Sequence, residues 1–338
     1  MEELRFLYLK QEDVIEAGVL DMKRTIKDVE EVFRLYAEGK VVMPPKSPID
    51  FYDNDYRGHI ISMPCYVGGD IDVVGIKWAA GFPKNPMRYG LPLGIDIIIL
   101  SDPHSGRPLV IMDGTIITAM RTSAVTGIAI KHLARPDSEK VALIGAGVIG
   151  RTTLMALPYC MSNIGEVRIY DIRLEKAKSL ANEFKERLPV SVVRSLKSTV
   201  METDIIITAT TSTNKFVKSK WISKGSLCIQ VGTNEFDENT VLSADKVVVD
   251  NWEQIKDYRR SMLAQLYKEG RLRDNQILEL PFIVAGKQPG RENSSELIFF
   301  DSFGMACEDI IVAYRIYRNA VRNGLGEELE LWKRPLWK

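Results

Sequence analysis

The sequence predicts an α/β protein in two parts, a unit of alternating strands and helices and a separate α+β unit with its own antiparallel or mixed sheet. Three observations carry this. A glycine triplet, Gly145, Gly147 and Gly150, follows the apolar run Val141-Ala-Leu-Ile144 and leads into a helical segment. After Ser138, apolar runs alternate with helical stretches, the pattern of parallel βαβ units. Before it, from Val41 to Gly114, short β-type runs broken by Pro and Gly follow one another without that alternation.

A length of 338 residues suggests two domains. Lys plus Arg and Asp plus Glu are both 45, so nothing steers the chain toward nucleic acid or an anionic membrane. Cys65, Cys160, Cys228 and Cys307 form no CxxC pair, and only His59, His104 and His132 could join them around a metal. The expectation is reduced cysteines in a cytoplasmic protein with no metal site. The N-terminus has mixed charge and no apolar core of a leader, and no stretch approaches about 18 uninterrupted apolar residues.

In chain order, Arg5–Lys10 reads as a strand. From Asp21, Met22, Ile26, Val29, Val32, Phe33 and Tyr36 recur at helical spacing until Gly39. The β-type runs are Val41-Val-Met43, His59–Met63, Val73–Trp78, Ile95–Leu100 and Leu109–Met112. Ile116–Ala134 is a linking helix ending at Arg135-Pro136. The later strands are Ser191–Val193, Asp204–Ala209, Ser226–Val231 and Lys246–Asp250. Trp252–Gly270 reads as one charged helix and Ile283–Gly286 as a short element, and Phe299–Ala306 leads into a long C-terminal helix through Asn319.

The glycine triplet has a physical reading. The first glycine allows the turn, the second lets a pyrophosphate approach the backbone, and the third lets helix and strand pack closely. Phosphates then meet unpaired N–H groups of Val148 and Ile149 and the positive end of the helix dipole. Val167–Tyr170 is a second apolar run ending in Asp171, about twenty residues past the triplet, where a ribose diol is bound in such sites. Asp171 favours NAD, while Arg173 leaves NADP possible by offsetting repulsion of a 2′-phosphate. Thr210, Thr211 and Ser212 form a hydroxyl-rich loop at the carboxyl edge of the sheet, either a nucleotide contact or a plain polar turn.

Lys46, Lys77 and Arg121 lie unusually inside or beside apolar runs. Each could be a snorkelling or solvated cation. Lys77 stands apart, because Gly75, Ile76, Trp78, Ala79 and Ala80 leave little polar face for an exposed edge, which favours burial against an anion.

Taken together, the ordered motifs resemble the ornithine cyclodeaminase/mu-crystallin family over nearly the whole chain. They are Gly75-Ile-Lys77 with Phe82–Asn85 and Gly90-Leu-Pro92, Asp102–Gly106 with Met112-Asp-Gly114, Thr118-Ala-Met-Arg121, Gly145–Gly150, and Phe300–Gly304 with Asp309. The resemblance implies a substrate-binding and dimerisation domain, residues 1–118 and 305–338, around a Rossmann domain, residues 119–304. It implies a homodimer and a substrate carboxylate held by Lys46, Lys77 and Arg121, with Met63 also on the substrate side. It adds Val231, Gly232, Ser302 and Gly304 to the cofactor residues.

One departure bears on chemistry. Cyclodeaminases of the family carry Gly-x-Asp-x-Pro-Gly-Lys-x-Glu-Leu after the fifth Rossmann strand, where this chain has Val231-Gly-Thr-Asn-Glu-Phe-Asp237. Asn234 stands nearest the Asp and cannot take up a proton, so its catalytic part is limited to orienting by hydrogen bonds, with Glu235 or Asp237 as substitutes. The shorter run resembles relatives that oxidise a secondary amine or reduce an imine, such as dehydrogenases of diaminopropionate synthesis. The expected function is amine–imine hydride transfer on an amino acid or N-substituted amino acid, with Lys77 assisting proton transfer. The alternatives are ornithine cyclodeamination to proline and ammonia, and a nicotinamide- or ligand-binding protein without turnover.

Overall fold

The computed structural model describes residues 3–53 and 56–337. The chain divides into two units, Met1–Arg121 with Met305–Lys338, and Thr122–Gly304.

In the first unit β1 (Leu4–Leu9), β2 (Val41–Val42), β3 (Ser47–Asp53), β4 (Tyr56–Val67), β5 (Val73–Gly81), β6 (Gly94–Ser101) and β7 (Pro108–Asp113) share a sheet with a final strand, Glu327–Trp332. From the final strand the order is β1, β7, β6, β5, β4, β2, with β3 paired to β4. β1 and β7 run parallel and the other neighbours antiparallel. Strand alternation sorts the faces. Val73, Gly75 and Lys77 are buried on one side of β5, while Trp78 is exposed on the other. The helix Ala306–Asn323 lies across β4, β5 and β6 and against the helix Met22–Ala37. Gly75 permits this approach, since a Cβ there would stand 2.7 Å from Ile310.

Helix Met22–Ala37 starts where the Asp21 carboxylate accepts the Arg24 N–H at 2.9 Å, and it buries Ile26, Val29, Val32 and Phe33. The long C-terminal helix continues to Asn323, four residues past the expected end, and stops at Gly324, whose φ of 65° closes it left-handed. The strand beyond it, Glu327–Trp332, lies past the last element that the sequence predicts. Pairing with the open edge of β1 makes it a strand.

In the second unit β8 (Lys140–Ile144), β9 (Glu166–Tyr170), β10 (Val190–Val192), β11 (Ile205–Thr208), β12 (Leu227–Gln230), β13 (Lys246–Val249), β14 (Ile277–Glu279) and β15 (Ile298–Asp301) form one parallel sheet. The order β10-β9-β8-β11-β12-β15-β13-β14 reverses direction between β8 and β11, which makes this a doubly wound α/β fold. Central strands are buried along their whole length, as sheets covered on both faces require.

Trp252–Gly270 is not one helix but two, Trp252–Ile255 and Met262–Lys268. Ser261 starts the second by accepting N–H bonds from Leu263 and Ala264, and Asn234 grips the backbone of the break. The short element at Ile283 is the end of a helical turn, Leu280–Val284.

Candidate active site

The glycine turn joins β8 to helix Val148–Cys160. Gly145 has φ +111°, and a Cβ there would lie 2.4 Å from the Ala209 carbonyl oxygen. A Cβ on Gly150 would lie 2.1 Å from the Gly145 oxygen, so helix and turn pack too closely for a side chain. Gly147 differs: nothing stands within 4 Å of its added Cβ. That open side, at the start of a helix whose first N–H groups have no intrahelical partner, fits a pyrophosphate of NAD. Val148 is 67% exposed and Ile149 half-buried beside it.

Asp171 follows β9, and its two oxygens accept the N–H groups of Ala146 at 2.9 Å and Arg173 at 2.8 Å. The carboxylate therefore braces the glycine turn and keeps lone pairs for a ribose hydroxyl. The Arg173 guanidinium, 66% exposed, reaches 4.0 Å from it.

Around the carboxyl edge, Glu235 is fully buried and ties two loops together. It accepts the N–H and hydroxyl of Thr210 at 2.8 and 2.5 Å and the N–H of Gly232 at 3.0 Å. Burial raises its pKa, and the bonds from Thr208, Thr210 and Gly232 oppose that. The Thr210 hydroxyl also accepts the Ser212 N–H, while Thr211 is exposed. Val231 N–H bonds the Thr208 carbonyl, Ser302 N–H the Gln230 carbonyl, and Gly304 N–H the Asp250 carboxylate. Asp301 is buried at the end of β15, and burial pushes its carboxyl up to about 7 although Gln230 donates to it at 3.0 Å.

Asn234 has φ 61°, a conformation Asn tolerates better than most residues. Its Nδ2 donates to the Arg260 carbonyl at 2.7 Å and its Oδ1 accepts the Met262 N–H at 2.8 Å. Both ends of the amide are thus engaged with backbone. Asp237 caps helix Glu238–Leu242 by accepting from Thr240.

In the first unit Lys77 is 1% exposed, so the burial alternative is the one this fold adopts. It sits opposite Met63 on β4 and Ile98 on β6, in an apolar row under helix Ala306–Asn323. Its Nζ lies 2.8 Å from Asp309 Oδ2 and 3.3 Å from the Thr118 hydroxyl. Arg121, one helical turn after Thr118, donates from Nε to Asp309 at 2.9 Å and from Nη1 to Glu308 at 2.8 Å. Glu308 and Asp309 occupy the first turn of their helix, where its dipole favours negative charge. Lys46 stands half-buried just before β3.

Burial lowers the Lys77 pKa, neighbouring Arg121 lowers it further, and Asp309 and Asp96 oppose this. Arg121 rises above its ordinary value because Asp309 and Glu308 outweigh burial. Asp309, though buried, is held below its ordinary value by Arg121 and Lys77. The cations are therefore poised beside carboxylates in a low-dielectric cluster that could exchange one carboxylate partner for another.

Asp309 entered the sequence reading only as a motif position, and Glu308 and Asp96 were missed. Asp96 carried a legible signal: it occupies an inward-facing position among Ile95, Ile97 and Ile98, the same argument that singled out Lys77.

A parallel sheet with a glycine turn, a helix N-terminus and an acid after its second strand defines a dinucleotide-binding protein of the Rossmann class. The chain belongs to the ornithine cyclodeaminase/mu-crystallin family, whose model it matches over residues 7–324. It is 30% identical to the N-((2S)-2-amino-2-carboxyethyl)-L-glutamate dehydrogenase of Staphylococcus aureus, covering 96% of this chain and 98% of that one. The Δ1-pyrroline-2-carboxylate reductase of Thermococcus litoralis, solved with NADH and L-proline, aligns with a TM-score of 0.88 at 35% identity, over 95% of this chain and 99% of that one. An archaeal alanine dehydrogenase dimer with bound NAD aligns with a TM-score of 0.87 at 32% identity, over 97% and 100% of the two chains.

Proposed function

We propose that this protein is an NAD-dependent oxidoreductase that interconverts the amine and imine of an amino acid, primary or N-substituted. The observation that carries the reading is the buried Lys77–Asp309–Arg121 cluster in a chain that also holds an open glycine turn at a helix N-terminus. When bound, the nicotinamide supplies or accepts the hydride. Arg121 and Lys77, with Lys46, hold the substrate carboxylate, and Met63 covers the apolar side of the same pocket. Lys77, its pKa lowered by burial, exchanges the proton on the substrate nitrogen. Gly145, Gly147, Val148, Ile149 and Gly150 cradle the pyrophosphate and Asp171 the ribose. Thr210, Thr211, Ser212, Val231, Gly232, Ser302 and Gly304 line the nicotinamide half.

Asn234 belongs to loop architecture in this reading. Its amide is spent on the Arg260–Met262 backbone, which favours a dehydrogenase or reductase over a cyclodeaminase. Homodimerisation is assigned to the outer face of the first unit's sheet, where Trp78 is 43% and Ile97 44% exposed beside Ile95. A reducing, cytoplasmic setting suits the four free cysteines. No helix among the described residues is long and apolar enough to cross a membrane.

The test is a panel of amino acids, opine-like secondary amines and cyclic imines, assayed in both directions with both cofactors. Net NADH formation or consumption with one of them is expected. Proline and ammonia from ornithine with no net NADH would establish cyclodeamination instead, and ligand binding without turnover would reduce the protein to a binding protein.

A further inference from the structure

Behind Lys77 lies a hydrogen-bonded chain that the carboxylate clamp does not use. Lys77 Nζ is 3.3 Å from Thr118 Oγ1, and that hydroxyl donates to Asp96 Oδ2 at 2.5 Å. A hydroxyl has one proton to give and lone pairs to receive, so Thr118 can accept from Lys77 while donating to Asp96. The register explains the alignment. Lys77 faces Ile98 across β5 and β6, and Asp96, two residues earlier on β6, points to the same face. Thr118 and Arg121 come from helix Thr115–Leu133, and Asp309 from helix Ala306–Asn323.

Among the described residues, the groups facing Asp96 come from three elements. From β5 come Lys77 and the Ala80 N–H, at 3.3 Å from Oδ1, and from the linking helix come Thr118 and Arg121. Asp309 faces it from the C-terminal helix. Asp96 is 5% exposed, and burial raises its pKa against the pull of Lys77 and Thr118. Burial moves Lys77 the other way. The two ends of the chain are thereby brought toward equal proton affinity, the condition under which a proton passes readily in either direction.

We propose that Lys77, Thr118 and Asp96 form a proton relay for amine–imine interconversion, with Thr118 and Asp96 as positioning residues that act through Lys77. This rests on the proposed function. In oxidation the Lys77 ammonium gives a proton to Thr118 Oγ1 as the hydroxyl proton passes to the Asp96 carboxylate, leaving a neutral Lys77 amine and a protonated Asp96. The Lys77 amine takes a proton from the substrate ammonium. The freed nitrogen pair forms the C=N bond as the α-carbon hydride leaves, with both electrons of its C–H bond, for the nicotinamide. Asp96 then releases its proton to water, so one proton is lost per hydride transferred. Reduction runs the same steps in reverse.

The test compares Thr118→Val, which keeps shape and loses the hydroxyl, with Thr118→Ser, which keeps the hydroxyl, and with Asp96→Asn. In the holoenzyme Thr118→Val and Asp96→Asn are expected to lower kcat at least about tenfold with KM unchanged, and Thr118→Ser to restore it. Asp96→Asn is also expected to lose the rise of oxidative kcat with pH that ionisation of Asp96 produces. Wild-type kcat and pH profile in Thr118→Val, or an equal loss in Thr118→Ser, would overturn the relay. A second arm needs no turnover: carbon-13 NMR of aspartate carboxyls in the cofactor-free protein, with Asp96 assigned from Asp96→Asn. Thr118→Val removes a bond that stabilises the carboxylate, so the Asp96 midpoint should rise, and an unmoved midpoint would also overturn the relay. If that midpoint rises while the wild-type protein turns over no amino or imino acid, the hydrogen-bonded chain stands and the functional reading falls.

Discussion

In the Thr122–Gly304 unit the site proposed for an anion is built of backbone: a turn stripped of side chains at Gly145, Gly147 and Gly150, and the first N–H groups of helix Val148–Cys160. In the other unit the site proposed for an anion is built of side chains, Lys77 and Arg121, which are already paired with Asp309 and Glu308. The first arrangement carries no net charge to desolvate, only aligned dipoles, and comes from one continuous stretch of chain. The second needs cations and acids brought from separate elements into a buried cluster, and is stable only while their charges stay balanced. A site made of backbone tolerates charge changes nearby but not an added Cβ. A site made of buried charges behaves the other way.

The largest expected effect breaks the charge balance. Arg121→Met takes the guanidinium away from Glu308 and Asp309, and should cost about 3–5 kcal/mol of stability by denaturant titration. The Michaelis constant for a carboxylate substrate should rise in the same variant while NADH affinity, read by fluorescence, stays nearly intact. An unchanged stability and Michaelis constant would mean that the cluster is not a charge-balanced site.

Next comes a carboxyl shifted by burial at the sheet edge of the backbone-built unit. Asp301 is pushed up to about 7 by burial, so the native state holds a proton that the unfolded chain gives up. Stability contributed by that proton is present below the unfolded pKa, falls as pH rises toward about 7, and then stays low. The loss is bounded by about 4 kcal/mol. Asp301→Asn should flatten this dependence and be the more stable protein at pH 8, measured by denaturant midpoints at pH 5 and 8. Parallel pH profiles for the two proteins would mean that Asp301 is not protonated in the native state.

Smaller effects test the glycines one against another. Gly150→Ala should cost about 1–3 kcal/mol of stability through overpacking against the Gly145 oxygen. Gly147→Ala should fold normally by circular dichroism and lose NADH affinity, because its Cβ enters only the open space proposed for pyrophosphate. Equal NADH affinity in Gly147→Ala and wild type would count against that placement. The smallest effect concerns cofactor choice. Asp171→Ser should narrow the preference for NADH over NADPH by about tenfold, the worth of one charge-assisted hydrogen bond of about 1.5 kcal/mol, as read from binding of the two cofactors. If wild-type protein binds NADPH more tightly, Arg173 governs the choice.

The same contrast explains what could be read early. The glycine turn and Asp171 are legible because turn, helix start and strand end lie close together in sequence, and the α/β alternation after Ser138 is equally local. Lys77 was legible as a buried cation because strand alternation surrounds it with apolar neighbours. Its partner was not, since Asp309 comes from the far end of the chain. Asn234 was noticed for the carboxylate it replaces. Its grip on Arg260 and Met262 comes from a chain reversal that no periodicity signals.

By itself, then, the order of residues determined the parallel sheet, the glycine cradle, the helix faces and the burial of Lys77, all consequences of local geometry and alternation of polarity. Only the tertiary structure decided that Glu327–Trp332 is a strand, because β1 offered an edge to pair with. It alone broke Trp252–Gly270 into two helices, through hydrogen bonds to Asn234. It also joined Lys77 to Asp309 and, through Thr118, to Asp96. Which buried charge neutralises which depends on distances across the packed core, and those exist only once the elements have met.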